Sequence, residues 1–127
     1  MTKLLFIALG GAAGSVARYL LAVQGQRLSQ SMFPVGTLTV NVLGCLLIGL
    51  LGTLFAGPVI VREEYRFALL VGFLGGFTTF STFGFETFSL VSDREWWLAS
   101  LNVLGSNVMG LAAVWVGNRL ALLWQGV

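Results

Sequence analysis

Apolar residues fill four stretches of this chain, residues 4–23, 36–55, 67–91 and 96–123, and polar residues collect between them. A helix that crosses a bilayer needs about 20 mostly apolar residues, so each stretch is expected to span once. The connections are short. Gln24 to Val35 contains Arg27 and Pro34, and Ala56 to Arg66 contains Pro58 and the cluster Arg62-Glu63-Glu64-Tyr65-Arg66. The third is little more than Ser92-Asp93-Arg94-Glu95, where Ser92 or Asp93 is expected to cap the last helix. No loop has room for a soluble domain, and there is no convincing internal repeat. The expected architecture is a single all-α integral membrane domain over residues 1–127, with four transmembrane helices. The first apolar run continues past Ala12-Ala13 to Val23, too long for a cleaved signal segment, and is expected to be retained.

Each span departs from plain lipid-facing Leu, Ile and Val in its own way. The third does so most, in Gly72-Phe73-Leu74-Gly75-Gly76-Phe77-Thr78-Thr79-Phe80-Ser81-Thr82-Phe83-Gly84-Phe85-Glu86. A glycine pair followed by two threonines weakens a helix, because Gly loses most backbone entropy and Thr is stiff at χ1. The third helix is therefore expected to break near Gly75 to Thr79, which lipid tolerates only where protein or water covers the freed backbone. Carbonyls such as those of Gly75 and Thr78 would lose their helical partners there, and a monovalent cation recovers such carbonyls in broken transporter helices. Beyond the break, Phe80 and Phe83 share a face, and the positive edges of their rings suit the wall of an anion path. The other reading of a Phe stripe is simple packing. Ser81 and Thr82 add rotatable hydroxyl donors. Glu86 lies about five residues inside the span's end, either near the headgroups as a structural group or deeper as a functional one; periodicity does not choose.

The first span carries Gly10 and Gly14 at GxxxG spacing with Ala13 and Ala17 nearby, a face for close helix contact. Arg18 is the only charge within that span, and two readings stand: it snorkels to the headgroups, or it forms a cationic vestibule that concentrates anions. In the second span Thr37, Asn41, Gly44 and Cys45 fall on one face, and Asn41 is costly at that depth unless its amide finds partners. In the fourth, Asn102, Ser106 and Gly110 make a small and polar stripe that continues to Ala113 and Gly117. Asn107 lies off it and is expected to pair with another helix. Trp96, Trp97 and Trp124 suit interface anchors.

Composition narrows the function classes. Only 9% of residues are charged, against about 25% in soluble domains. The net charge of +2, carried by scattered arginines, argues against nucleic acid. There is no His, which removes imidazole ligands and bases, and the single Cys45 cannot close an intrachain disulfide. With no nucleophile–base constellation, an enzyme is not expected. With the N-terminus inside, Lys3, Arg62, Arg66 and Arg119 lie inside and Arg18, Arg27 and Arg94 outside, a split of four against three. So weak a positive-inside bias permits insertion both ways round, and two opposed copies can then pair as an antiparallel homodimer.

These segments together resemble the Fluc family of bacterial fluoride channels: Gly10 to Arg18, Gly36 to Gly44, and above all Gly72 to Phe83. The resemblance covers essentially the whole chain. It implies a dual-topology antiparallel homodimer in the bacterial inner membrane, with two pores that export toxic fluoride passively. It also implies a central structural sodium ion held by main-chain oxygens of Gly75 and Thr78 from both copies. The ion pathway it implies runs over Asn41, Phe80, Phe83, Ser81, Thr82, Ser106 and Glu86, with Arg18 in the vestibule. Two positions depart from the family pattern: Met109-Gly110 stands where a Gly-Ser pair is expected, and Gly84 where serine is frequent. Fluoride is small and strongly hydrated, so a pore must replace its water with donors such as Asn41, Ser81, Thr82 and Ser106. The main alternative is a small proton-coupled multidrug or cation antiporter, for which Glu86 is the only in-span carboxylate. A non-transporting scaffold is a third.

Overall fold

A computed structural model describes residues 1–57 and 59–126. Pro58, which the sequence places in the second connection, lies outside the described residues. Five helical segments make four spans: α1 is Thr2–Ser29, α2 is Val35–Ala56, α3 covers residues 63–77, α4 is Phe80–Ser92, and α5 is Trp96–Gln125. The third span, Glu63–Ser92, is α3 and α4 together, interrupted at Thr78 and Thr79. At 28, 22, 30 and 30 residues, each span is long and apolar enough to cross a bilayer.

The ends follow from local chemistry. Beyond α1, Gln30 turns left-handed at φ 46° and returns its N–H to the Gln26 carbonyl. Gln26 also ties down the first connection. Its Nε2 donates to the carbonyls of Ser31 (2.7 Å) and Phe33 (3.2 Å), and its Oε1 accepts from the Gly36 N–H at 3.2 Å. The last connection is a tight turn in which Arg94 takes φ 62° and the Glu95 N–H reaches the Leu90 carbonyl at 2.8 Å. Neither Ser92 nor Asp93 caps α5, contrary to expectation: the N-cap position falls on Glu95 and the helix starts at Trp96, while Ser92 Oγ donates back to Phe88 O at 3.0 Å.

The α3 segment was expected to be ordinary helix up to the break. Instead Phe67–Phe73 forms a π-helical stretch between two short α-helical ends, Glu63–Arg66 and Leu74–Phe77. The α1 helix packs closely along this stretch. A Cβ at Gly10 would meet the Ala68 carbonyl, one at Gly14 the Phe73 carbonyl, one at Gly72 the Ile7 carbonyl and one at Gly76 the Gly11 carbonyl. The two backbones touch because both sides lack side chains at the crossing. At one end Lys3 Nζ pairs with Glu63 Oε2 at 2.7 Å, and Phe6 meets Tyr65 edge to face at 5.4 Å.

α2 lies chiefly along α5, again through glycines: a Cβ at Gly49 would strike the Val114 carbonyl and one at Gly117 the Leu46 carbonyl. Gly110 and Gly117 of the expected small stripe of α5 lie in this contact, and Asn102, Gly110, Ala113 and Gly117 are all buried. On α4, Phe80, Phe85 and Phe88 are exposed. Trp96, Trp97 and Trp124 are exposed at the ends of α5, as interface anchors would be.

Candidate functional site

The break is built by three neighbouring side chains. Thr78 is extended (φ −90°, ψ 159°), and so is Thr79 (φ −151°, ψ 115°). The Thr78 N–H and hydroxyl both donate to the Leu74 carbonyl, at 3.0 and 2.9 Å, which closes α3. Asn41 of α2 then takes both backbone groups of Thr79. Its Oδ1 accepts the Thr79 N–H at 2.8 Å, and its Nδ2 donates to the Thr79 carbonyl at 3.0 Å. In an unbroken α-helix that N–H would bond the Gly75 carbonyl. The carboxamide therefore holds the interruption open as well as satisfying it. Near Asn41 on the same helix, Gly44 must lack a Cβ because the Thr78 methyl Cγ2 occupies that space. On the other side Thr79 caps α4, accepting from the Thr82 N–H at 3.2 Å and donating to Thr82 Oγ1 at 2.9 Å.

Beside the break lies an open cleft of about 420 Å³. It brings together Asn41, Gly75, Thr78, Phe80, Phe83 and Ser106, six of the residues that the sequence analysis singled out. The rings of Phe80 and Phe83 stand 5.6 Å apart at 41° to each other. Phe80 is 84% exposed, so its ring faces out from the chain rather than into a core.

The remaining candidates lie elsewhere. Thr82 and Glu86 line a second opening of about 480 Å³, together with Thr37 and Asp93. There Thr37 Oγ1 donates to Glu86 Oε1 at 2.7 Å, while Oε2 has no partner among the described residues. Arg18 lines a third, of about 260 Å³, with Ser15, Tyr19, Thr79 and Thr82. It forms no ion pair among the described residues. Thr82 belongs to both openings and, through its bond to Thr79, adjoins the break. Ser81 is exposed, with its Oγ 3.4 Å from Thr79 Oγ1. The expected track is thus two groups of residues joined at Thr79.

Two polar arrangements escaped the sequence analysis. The buried Asn102 donates through Nδ2 to Thr87 Oγ1 at 2.9 Å and accepts from Ser106 Oγ at 3.4 Å. At the far end of α2, Asn118 Nδ2 donates to Thr53 Oγ1 at 2.8 Å. The available signal in both cases was an in-span Asn with an in-span Thr to receive it. Asn107, expected to pair across helices, instead lines the open cleft beside Ser106, is exposed there, and donates to the Val103 carbonyl of its own helix at 2.7 Å.

Among the described residues no group of three or more His, Cys, Asp or Glu side chains could hold a metal ion. Main-chain oxygen is the available donor type. Gly75 and Thr78 both line the cleft, the Gly75 carbonyl has lost its i+4 donor to Asn41, and no backbone bond outside the helices ends on either carbonyl. Such oxygens suit a hard cation.

Comparison with known proteins bears on what this arrangement is. The fluoride-specific ion channel FluC of Solibacter usitatus is 50% identical over 119 residues, covering 94% of this chain and 98% of that one. FluC of Geobacter sulfurreducens is 51% identical over 117 residues, covering 92% and 94%. FluC of Maridesulfovibrio salexigens is 43% identical over 123 residues, covering 97% and 98%. The family described as CrcB-like protein, Camphor Resistance (CrcB), matches residues 5–118, a stretch that takes in most of all four spans together with the break and its cleft, and the chain belongs to that family.

Proposed function

We propose that this protein is a fluoride channel of the bacterial inner membrane, through which the ion leaves the cell passively. The observation that carries this reading is the cleft at the break, where Phe80, Phe83, Asn41 and Ser106 meet in a chain about half identical to fluoride-specific channels. Fluoride must exchange water for other donors along its way. The hydroxyls of Ser81, Thr82 and Ser106 rotate freely enough to provide them, and Asn41 keeps one amide hydrogen beyond the one given to Thr79. Ring edges at Phe80 and Phe83 narrow the passage without fixing the anion too tightly to leave. Arg18 lies in an opening lined by hydroxyls and without a paired carboxylate, which suits gathering anions ahead of the narrow part.

The cleft is open, Phe80 faces outward, and Gly75 and Thr78 of one chain bring two carbonyls to the break. A second copy in the opposite orientation would close the first and double the second. The carbonyls of Gly75 and Thr78 from both copies would then hold a sodium ion, which supplies a fixed positive charge between the pores and is not itself transported. In a low-dielectric interior such a charge favours anions strongly.

Fluoride efflux from liposomes carrying the purified protein tests the reading. Rapid fluoride release with chloride retained is expected, and so is arrest of that release when sodium is exchanged exhaustively for a large organic cation. No fluoride release above that of empty liposomes overturns the channel. Release that ignores the exchange overturns the sodium.

A further inference from the structure

Behind Ser106, away from the cleft, a chain of side-chain hydrogen bonds runs from α5 to α4. Ser106 Oγ lies 3.4 Å from Asn102 Oδ1, Asn102 Nδ2 lies 2.9 Å from Thr87 Oγ1, and Thr87 Oγ1 lies 2.7 Å from the Phe83 carbonyl. The hydrogen inventory sets its direction. Thr87 has one hydroxyl proton, and at 2.7 Å from a carbonyl oxygen that proton must lie between them, since two bare oxygens would repel. Thr87 can therefore only accept from Asn102, which turns the amide NH2 toward Thr87 and the carbonyl toward Ser106. Ser106 must then donate. Asn102 is 2% exposed and does not line the cleft, whereas Ser106 does.

Building on the channel reading, we propose that Asn102 is a positioning residue for Ser106, holding its only proton away from the cleft until an anion draws it in. An idle Ser106 presents lone pairs to the cleft. An arriving anion recruits the donor by turning the hydroxyl about its C–O bond, and Asn102 takes the proton's direction back when the ion leaves. No proton is transferred. The bond to Asn102 is long enough to be weak, so release costs little. The bond to Thr87 is short, and it keeps the amide from turning to follow the serine. Because Thr87 also holds the Phe83 carbonyl, the same chain fixes the position of α5 against the segment that bears the ring.

A double-mutant cycle on fluoride efflux tests this. Asn102→Leu, close in volume, is expected to lower efflux about tenfold when Ser106 is present and less than about twofold in a Ser106→Ala background, because the residue acts through that hydroxyl. Equal fold-changes in the two backgrounds, or no change in either, overturn the proposal and reduce Asn102 to packing. Thr87→Val keeps volume and removes the acceptor for Nδ2 together with the hydroxyl bonded to the Phe83 carbonyl of the same helix. It should show the same dependence on Ser106, and it decides the matter if Asn102→Leu does not fold. A parent protein that carries no fluoride overturns the channel reading and this proposal with it. A conducting parent with additive changes overturns this proposal alone.

Discussion

Replacing Asn41 by leucine removes both hydrogen bonds to Thr79, a residue only 8% exposed. Each buried polar group left without a partner costs about 1–3 kcal/mol. The two groups do not fare alike. The Thr79 N–H has an old partner waiting, the Gly75 carbonyl four residues back, and regains it if the helix closes. The Thr79 carbonyl, at the N-cap of α4, has the Phe83 N–H four residues on as its helical partner, and so loses the bond to Asn41 without being left bare. Hydrogen bonds between helices in a bilayer average about 0.6 kcal/mol with a maximum of about 1.7. Two such bonds make the expected loss about 1–2 kcal/mol. Asn41→Asp separates the two halves of the clamp. It keeps an acceptor for the N–H but places a second oxygen 3.0 Å from the Thr79 carbonyl, so its loss should be at least as large. Equilibrium unfolding in mixed micelles gives the energies, and amide hydrogen exchange at Thr79 gives the local consequence. In Asn41→Leu the closing helix should also return the Gly75 carbonyl to a backbone donor, so that the stabilisation by sodium which the proposed site predicts is lost. An Asn41→Leu protein within about 0.5 kcal/mol of the parent, with stabilisation by sodium unchanged, would refute the clamp.

Three further outcomes follow from the same geometry. Phe80→Ile or Phe83→Ile should cut fluoride efflux by about tenfold or more while the protein remains folded, since the proposed path uses ring edges rather than apolar bulk; normal efflux in both removes the rings from the path. Gly44→Ala should destabilise by about 1–3 kcal/mol because the new methyl meets Thr78 Cγ2. Thr78→Ser in that background should restore most of the loss, since it deletes the methyl and keeps the hydroxyl bonded to Leu74; equal unfolding of the single and double variants counts against it. Arg94→Gly should raise stability by a few tenths to about 1 kcal/mol, because φ 62° strains any residue with a Cβ, and a fall in the unfolding midpoint contradicts that.

The break was legible because its cause is local: Gly75, Gly76, Thr78 and Thr79 are poor helix formers in sequence. The α2 face was legible for a similar reason, since Thr37, Asn41 and Gly44 repeat at helical spacing and meet Glu86, Thr79 and Thr78 in turn. The π-helical stretch was not. Phe-Ala-Leu-Leu-Val-Gly-Phe reads as ordinary spanning helix, and its wider winding goes with glycines of α1 that lie far away in sequence. The turn at Ser92 to Glu95 misled because two good capping residues lie beside it, yet the tertiary path starts α5 just past them. Asn102 was placed on the correct stripe, but a stripe does not say whether an amide faces a cleft or backs a serine that does.

The glycine crossing between α1 and α3 has a hereditary consequence. At Gly10, Gly14, Gly72 and Gly76, every nucleotide change that alters the amino acid adds at least one carbon where a backbone carbonyl already sits. No gentle first step exists at these positions, so sequence drift there is closed. On the outward faces of α1, where Leu9, Val16 and Leu20 are exposed, one apolar residue can replace another with little effect. A saturation library selected for growth in fluoride should show that contrast along a single helix, with intolerance repeating every fourth residue from Gly10 and free exchange between.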